Sequence, residues 1–595
     1  MWGIYNEILM KFLRNLLAAI IGCLIAFGVL FGMFLIFAAL LGSEDGEKTI
    51  KSNSVLEIQI QNPVQDYVGR DELDPFAGLF QQAQGLNEII HAIKVAKNDS
   101  KIKGISINNN FIIAGLSQTQ AIRYALEDFK TSGKFIYAYA DIYVQKDFYL
   151  ASVADSLFLN EVGSLDFKGL SSEVLFYKDL QEKTGIKMEV IRHGKYKSAV
   201  EPYLTNEMSE ANRTQIKELL NSLWGSMVDE IAVSRNMSSE NLNVIADTLG
   251  GRMPQLAKES GLIDDVLFFD QYEHKLKNAA RIAIEEDINY VSLEDYIDTA
   301  NKTKLYKGDD KIAVIYAQGE ILYGEGGPGI IGQGIINSSL KKAREDDAVK
   351  AIVLRVNSPG GSALTSDIIW REIELTKAIK PVVVSMGDVA ASGGYYIAVG
   401  ADKIFAEPTT ITGSIGVFGT IPNATELAEN IGINAEQVGT NKNSVDYSLF
   451  EPMTDGFRNM MQESVEGTYH TFLERVAEGR KITVAEADSM AQGRVWSGVD
   501  AKNLGLVDEL GSLDDAIKGA AELADVASYG IKIFPKYKSG FERFMEDYGG
   551  ASSKIKQDFI REELGLEAYS ILKEVKAAMG QEGVQARVPF VLSIK

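Results

Sequence analysis

Short apolar runs alternate with amphipathic stretches along most of the chain. Runs such as 102–107 and 381–386 are rich in β-branched residues and have the length of buried strands. Stretches such as 86–95 and 117–131 carry apolar residues at helical spacing. Because strand and helix follow one another repeatedly, the pattern predicts an α/β protein with parallel strands.

One run departs from this alternation. Residues 15–42 are almost unbroken apolar residues without a charge, and they are long enough to span a bilayer with some tilt. Lys11 and Arg14 precede the run and acidic residues follow it. The positive flank predicts that residues 1–14 stay in the cytoplasm and that the rest of the chain is exported.

Two alternative interpretations compete for this N-terminal run. A cleaved signal peptide normally has a shorter apolar core and a small-residue cleavage site. The stretch Ile20–Cys23 resembles a lipoprotein processing box, but a long apolar run follows the cysteine where a polar tether is expected. An uncleaved transmembrane anchor is the better interpretation.

The chain also repeats itself. Segments around 103–107 and 350–354 match, and the match keeps one offset of 247 residues, as between Asp141 and Asp388. Matching without gaps over some fifty positions predicts two copies of one α/β unit, at 54–300 and 311–535. The polar stretch 298–310 reads as their linker. The tail 536–595 is predicted to be helical, with helix-like runs at 538–548 and 552–579.

Composition narrows the classes of partner and cofactor. The 595 residues carry a net charge of −22 and a pI near 4.8, which argues against nucleic acid and anionic lipid as main partners. The single cysteine, Cys23, excludes an intrachain disulfide. The four histidines lack metal-ligand spacing. The sequence therefore implies no cofactor and no metal.

The stretch 381–397 holds the first candidate for chemistry. After the apolar run, Gly387 and Asp388 break the strand, and a helix is expected from Ala390 onward. Ser392 would then lie where a strand gives way to a helix N-terminus, with free backbone N–H groups around it. A small-residue helix start that merely packs closely on its sheet is the alternative reading of this stretch.

The stretch 350–362 is the second candidate. A strand at 351–356 is followed by a tight turn in which Gly360 and Gly361 leave unhindered N–H groups that can point at an anion. A plain turn is the alternative. The first copy has Gln145 in place of Ser392 and residues 112–114 in place of the Pro-Gly-Gly turn. That copy is either purely structural or supplies something that the second copy lacks.

A serine nucleophile needs a base to take its proton, and the two stretches above do not supply one. His470 falls in a helical run and is expected on a helix face. The alternative is a lysine whose pKa is lowered by burial. Lys197 and Lys442 each lie three residues past a glycine at matching places in the two copies. This spacing does not show which of the two lysines is the base.

Four motifs carry a resemblance to a known family: YKSAVEP at 196–202, NSPGGS at 357–362, GDVAASGGYY at 387–396 and TGSIGV at 412–417. Over residues 10–535 the chain resembles signal peptide peptidase A in its long, tandem, membrane-anchored form. The resemblance implies two tandem Clp-protease/crotonase-like repeats after one N-terminal transmembrane helix. It also implies a homotetramer on the membrane.

The same resemblance implies the roles of individual residues. Ser392 would be the nucleophile and Lys197 the base, with Ser414 helping to hold the lysine amine. Backbone N–H groups at Gly360, Gly361 and Gly393 would bind the oxyanion. Lys442 stays an alternative base, because the short form of the family carries its lysine there.

The expected function is a membrane-anchored serine endopeptidase that degrades released signal peptides and other hydrophobic peptides. It is expected in the inner membrane with its catalytic bulk on the outer side. A non-catalytic membrane scaffold is the alternative, which the complete serine and glycine loops of the second copy argue against. An acyl-CoA enzyme is disfavoured by the anchor and the exported orientation.

Overall fold

The computed structural model describes residues 2–42, 50–69, 83–445, 447–537 and 584–587. Its first helix runs Trp2–Gly42 and so includes most of the segment predicted as a cytoplasmic N-terminus. Within it, Arg14–Met33 has a mean hydropathy of 2.6 and is long and apolar enough to cross a membrane. The predicted apolar N-terminal helix is therefore present.

The first repeat is built on a parallel sheet with the strand order β8-β6-β5-β4-β1-β9. The strands of this part are β1 (Ser54–Ile58), β2 (Val64–Gln65), β3 (Gln84–Gly85), β4 (Ile102–Ile107), β5 (Phe135–Tyr143), β6 (Ser156–Leu165), β7 (Lys187–His193), β8 (Asp265–Val266) and β9 (Asn289–Ser292). The helices are Leu86–Asn98, Leu116–Lys130, Gln145–Ala151, Lys178–Thr184, Glu201–Leu204, Glu210–Arg235, Ser239–Asp247, Pro254–Glu259, Phe269–Ala280 and Leu293–Ala300, with a 3₁₀ turn at Ser198–Val200.

The second repeat has the same order in its main sheet, β20-β16-β15-β13-β10-β21, and β17 and β19 extend it from β15. Its strands are β10 (Lys311–Gln318), β11 (Glu320–Ile321), β12 (Ile330–Ile331), β13 (Val349–Ser358), β14 (Gly360–Ser362), β15 (Val382–Ala391), β16 (Lys403–Ala406), β17 (Ile411–Gly413), β18 (Val417–Asn423), β19 (Val495–Ser497), β20 (Glu509–Leu510) and β21 (Gly530–Phe534). The helices are Gln333–Glu345, Ala363–Lys377, Gly393–Ala398, Thr425–Asn430, Asp455–Arg480, Val484–Met490, Gly498–Asn503 and Leu513–Leu523.

The predicted internal repeat is confirmed by this shared architecture. Helix Leu86–Asn98 corresponds to Gln333–Glu345, and helix Leu116–Lys130 to Ala363–Lys377; each pair begins and ends 247 residues apart. The offset read from a few matching side chains is therefore also the offset of whole helices.

The apolar runs of β13 and β15 are continuous because both faces of the sheet are covered. Ile352 and Leu354 pack in one hydrophobic cluster, whereas Ala351 and Val353 pack in the other. Alternate side chains of a strand point to opposite faces, so a strand buried on both sides needs apolar residues at every position.

A third sheet joins the two repeats, with the order β12-β11-β14-β22-β18-β7, in which β22 is Val584–Arg587. In it, β7 of the first repeat pairs antiparallel with β18 of the second, from Lys187 opposite Asn423 to His193 opposite Val417. Lys197 follows β7 by four residues. The pairing of β7 with β18 therefore brings the loop that carries this lysine to the second repeat.

The strand β22 (Val584–Arg587) comes from the C-terminal tail. It pairs antiparallel with both β14 and β18. The helix-like runs predicted at 538–548 and 552–579 lie outside the described residues. The prediction of a helical tail over 536–595 is therefore wrong at 584–587, where pairing with β14 and β18 makes a strand.

Candidate active site

Lys197, Ser392 and Ser414 form one buried hydrogen-bonded group. The Nζ atom of Lys197 lies 2.9 Å from Ser392 Oγ, and it lies 3.0 Å from both the Oγ and the carbonyl oxygen of Ser414. All three residues are fully buried. The lysine belongs to the first repeat and both serines belong to the second, so the group exists only where the repeats meet.

Ser392 has an uncommon backbone conformation, with φ 57° and ψ −116°. Its N–H donates to the carbonyl of Gly413 at 2.8 Å, and its own carbonyl accepts the N–H of Tyr396 at 2.9 Å. A non-glycine residue in such a conformation costs about 1–3 kcal/mol and persists only where its surroundings enforce it. The strained turn aims the side chain away from the strand, toward Lys197.

The predicted junction of strand and helix is correct in kind, but its boundary was wrong. β15 continues through Gly387 and Asp388 to Ala391, and the helix begins at Gly393 rather than near Ala390. Pairing with β17 extends the strand, since Ala390 lies opposite Thr412 and Ala391 opposite Gly413. Ser392 is thus the single residue between strand and helix.

Burial lowers the pKa of Lys197 well below its ordinary value, because no water reaches the ammonium form to stabilise its charge. The three oxygen atoms around Nζ belong to neutral groups, and the ring of Phe418 lies 5.8 Å away. A lysine that is neutral near physiological pH can accept a proton from a neighbouring hydroxyl.

The loop that carries Lys197 is fixed by its neighbours. Ser198 Oγ donates to the amide oxygen of Asn212 at 2.8 Å, and Gln215 donates to the carbonyl of Tyr196 at 3.0 Å. Gly493 packs directly on Lys197: a Cβ added there would lie 2.6 Å from the lysine Cβ and 2.7 Å from its Cα. These contacts fix the backbone position from which the lysine side chain enters the site.

The glycine turn lies on the strand next to the serine. Gly360 and Gly361 have φ values of 99° and 150°, and Gly360 N–H donates to Ser358 Oγ at 3.1 Å. In the ladder of β13 and β15, Ser358 is opposite Ala390, two residues before Ser392. Gly393 begins the helix, so its N–H has no acceptor within that helix.

The corresponding positions of the first repeat are filled by its own side chains. The amide oxygen of Gln145, the counterpart of Ser392, accepts the N–H groups of Lys168 and Gly169 at 3.0 and 2.9 Å. The carboxylate of Asp147 accepts the N–H groups of Phe111 and Ile112, both at 3.0 Å. Phe111 and Ile112 correspond to Ser358 and Pro359, so Asp147 binds the start of the turn that matches the glycine turn. Asp147 stands in the first repeat where the second repeat has Gly394, and this acidic residue was the sequence signal of the difference.

The other two candidate bases lie elsewhere. Lys442 is an exposed side chain in a loop, outside the buried group around Ser392. His470 lies on helix Asp455–Arg480, as predicted; its side chain is 64% exposed and is 3.2 Å from Glu474. Among the described residues, no cluster of three or more histidine, cysteine or acidic side chains could hold a metal ion.

The strand β22 lies between the glycine turn and the strand beside Lys197. Gly361 is opposite Ala586 on one side of it, and Phe418 is opposite Gln585 on the other. The space between β14 and β18, which we call the channel, is thus occupied by an extended segment of the chain that is paired along both edges.

The profile of Peptidase family S49 matches residues 128–283 and 374–527. "Protease 4" of Haemophilus influenzae is 35% identical, with 84% of each chain covered. "Protease 4" of Salmonella typhi is 37% identical, covering 83% of this chain and 81% of that one. "Serine protease SPPA, chloroplastic" of Arabidopsis thaliana is 32% identical, covering 80% of this chain and 70% of that one. The resemblance carried by the four motifs is confirmed.

Among solved structures, a ClpP1 point mutant from Listeria monocytogenes is similar at 16% identity and a TM-score of 0.24. The similarity covers 34% of this chain and 94% of that one.

Proposed function

This chain belongs to peptidase family S49 and is a serine peptidase, and from that premise we propose that it cleaves peptides with a dyad of Ser392 and Lys197 shared between its repeats. The single observation that carries the proposal is the 2.9 Å separation of Lys197 Nζ and Ser392 Oγ in a fully buried setting.

The hydrogen-bond capacity of a neutral lysine fits its three partners. A neutral amine has two hydrogens and one lone pair. The hydrogens can be donated to the Oγ and the carbonyl oxygen of Ser414, and the lone pair can accept the hydroxyl proton of Ser392. Ser414 would therefore orient the lone pair of Lys197 toward the nucleophile.

The reaction would proceed in two halves. Lys197 takes the hydroxyl proton as Ser392 Oγ attacks the peptide carbonyl, and the tetrahedral intermediate collapses when the ammonium group returns that proton to the leaving amine. Water, deprotonated by Lys197, then attacks the acyl ester, and the ammonium group returns that proton to Ser392 Oγ as the ester C–O bond breaks. Both halves pass through an oxyanion, for which the N–H groups of Gly360, Gly361 and Gly393 are the proposed donors.

The substrate would be an extended peptide. Both β14 and β18 pair in antiparallel fashion with β22, so the channel beside Ser392 accommodates a strand that is hydrogen-bonded on both sides. Released signal peptides and other hydrophobic peptides are the proposed substrates, in keeping with the expected location at a membrane. The family resemblance supports this substrate class.

Helix Trp2–Gly42 would anchor the protein in the inner membrane through its apolar stretch Arg14–Met33. The positive flank of that stretch is N-terminal, which supports a catalytic bulk on the outer side. Protease added to intact spheroplasts should then digest residues beyond 50, and full protection would show the opposite orientation. The homotetramer is proposed from the family resemblance alone.

The decisive experiment is turnover of a quenched fluorogenic peptide by the purified full-length chain, compared with turnover of an acyl thioester. Ser392→Ala should abolish peptide hydrolysis without unfolding the protein, because alanines 390 and 391 already precede it in the same small-residue setting. Substantial activity in pure Ser392→Ala protein would contradict the assignment. An inactive wild type would favour a scaffold, and a preference for the thioester would favour an acyl-transfer enzyme.

A further inference from the structure

The strand β15, which leads into Ser392, loses its regular pairing with β13 just before the serine. In the ladder of β13 and β15, Val356 lies opposite Met386 and Ser358 lies opposite Ala390. Between these pairs, β13 has the single residue Asn357 whereas β15 has three residues, 387–389. This is a bulge, in which backbone groups of the longer strand lose their ladder partners.

Two side chains of β13 bond the backbone of β15, one just before this bulge and one at its last residue. Arg355 Nη1 donates to the carbonyl of Met386 at 2.9 Å and to Ser385 Oγ at 2.8 Å. The N–H of Val389 donates to the amide oxygen of Asn357 at 3.2 Å. These two side chains therefore hold the bulge where the ladder with β13 is interrupted, and pairing with β17 continues from Val389 to Ala391.

Both side chains are held by one carboxylate from the first repeat. Asp66 Oδ2 accepts from Arg355 Nε at 2.7 Å, and Asp66 Oδ1 accepts from Asn357 Nδ2 at 3.2 Å. Gln118, also of the first repeat, donates to the same Oδ1 at 2.8 Å. The side chains of Arg355 and Asp66 are only 2% and 1% exposed, so this ion pair is screened little by solvent.

The segment that delivers Asp66 is itself fixed to the second repeat. The N–H of Tyr67 donates to the amide oxygen of Gln318 at 3.1 Å, and the Gln318 amide donates back to the carbonyl of Tyr67 at 2.5 Å. The Tyr67 ring also stacks on Tyr316, with centroids 4.7 Å apart. A Cβ added to Gly387 would lie 2.9 Å from Asp66 Oδ2, so the carboxylate packs directly against the bulge.

From this geometry we propose that Asp66 is a positioning residue for the nucleophile, supplied by the first repeat. It acts through Arg355 and Asn357 to fix the bulge in β15, and thereby the strained turn at Ser392. The inference rests on the proposed function, because it concerns the reactivity of Ser392. The first repeat then contributes both the base and a support of the nucleophile strand.

Asp66→Asn keeps the shape of the side chain and removes the charge that holds Arg355. We expect kcat to fall about 10- to 100-fold with little change in KM, because a misplacement of about 1 Å can cost about 10²-fold in rate. The rate of labelling of Ser392 by a fluorophosphonate should fall in parallel. Glu372→Gln is the matched control, since it removes the acid of the ion pair with Arg344 elsewhere in the second repeat. Its activity should equal that of the wild type.

A second variant separates positioning from mere stability. Asp66→Leu combined with Arg355→Met removes both members of this ion pair, so neither is left buried without the other. If Asp66 positions the bulge, this double variant melts at a normal temperature but keeps a low kcat and a low labelling rate. If the double variant has a normal Tm and also the kcat and labelling rate of the wild type, the inference is overturned.

Wild-type labelling distinguishes this inference from the proposed function. If the wild type labels at Ser392 and Asp66→Asn labels equally fast, Asp66 has no positioning role although the peptidase assignment stands. If the wild type does not label at all, the proposed function fails and this inference falls with it.

Discussion

Lys197 Nζ lies 2.9 Å from Ser392 Oγ, although the two residues are 195 positions apart and belong to different repeats. Pairing of β7 with β18 bridges that separation, because it carries the loop after β7 onto the second repeat. Neither repeat holds both groups of this pair. Each of the following predictions tests a consequence of that shared geometry.

The two candidate bases should behave differently when their amines are removed. Lys197→Met keeps an apolar stem in the buried site and should lower kcat about 10²- to 10⁴-fold, the usual cost of losing a general base. Lys442→Met is the matched control and should keep near-normal rates, because its side chain is exposed in a loop. The reverse result would make the second repeat self-sufficient and the shared dyad wrong.

The pH–rate profile should report the lowered pKa of Lys197. Burial disfavours the ammonium form, so the neutral, active form should accumulate as pH rises through a pKa well below 10.5. Activity should therefore rise with pH and reach a plateau well below that value. A kcat that is still rising near pH 10.5 would mean that the base is an ordinary exposed lysine.

The same lowered pKa predicts how stability depends on pH. Unfolding returns Lys197 to water, where it binds a proton that the folded state does not, so the free energy of unfolding should rise with pH up to about 10.4, the ordinary lysine pKa. Lys197→Met removes this proton uptake. It should raise Tm at neutral pH, and its advantage over the wild type should shrink as pH approaches 10. A Tm difference that is independent of pH would contradict a neutral buried lysine.

Gly493 should be required for activity because it packs against Lys197. Gly493→Ala adds a Cβ that meets the lysine Cβ at 2.6 Å, at a backbone φ of 80°. Gly505→Ala is the matched control, since its φ is 77° but its Cβ would meet nothing within 4 Å. Both variants should lose about 1–2 kcal/mol of stability from the left-handed backbone. Only Gly493→Ala should also lose kcat, and equal kcat in the two would argue against this contact.

Removal of residues 584–595 should relieve competition in the channel beside Ser392. The strand β22 occupies the space between β14 and β18 that an extended substrate would need. The truncated chain should therefore show a lower KM for short peptides at an unchanged kcat. Ala586→Pro, which removes a backbone donor opposite Gly361, should act in the same direction. An unchanged KM in both variants would mean that β22 does not compete with substrate.

Much of the fold follows from local sequence pattern. The length and β-branched composition of residues 381–386 predicted a buried strand, and the offset of 247 residues predicted two copies whose helices do begin and end at that spacing. The position of Ser392 between strand and helix could also be predicted from local sequence, since the small residues around it determine where the chain can turn. The boundary differed by a few residues because pairing with β17 extended the strand.

The tertiary structure alone decided the composition of the site. Spacing after a glycine did not separate Lys197 from Lys442, and only the resemblance favoured Lys197; the pairing of β7 with β18 is what brings Lys197 to Ser392. The contacts of Asp66 with Arg355 and of β22 with Gly361 likewise join residues far apart in the chain. Periodicity and turn chemistry act over a few residues and can be read from them, whereas contacts between distant segments depend on how whole layers pack. The sequence therefore determined the repeated unit and the turn at Ser392, and packing between the repeats determined which lysine lies beside that serine.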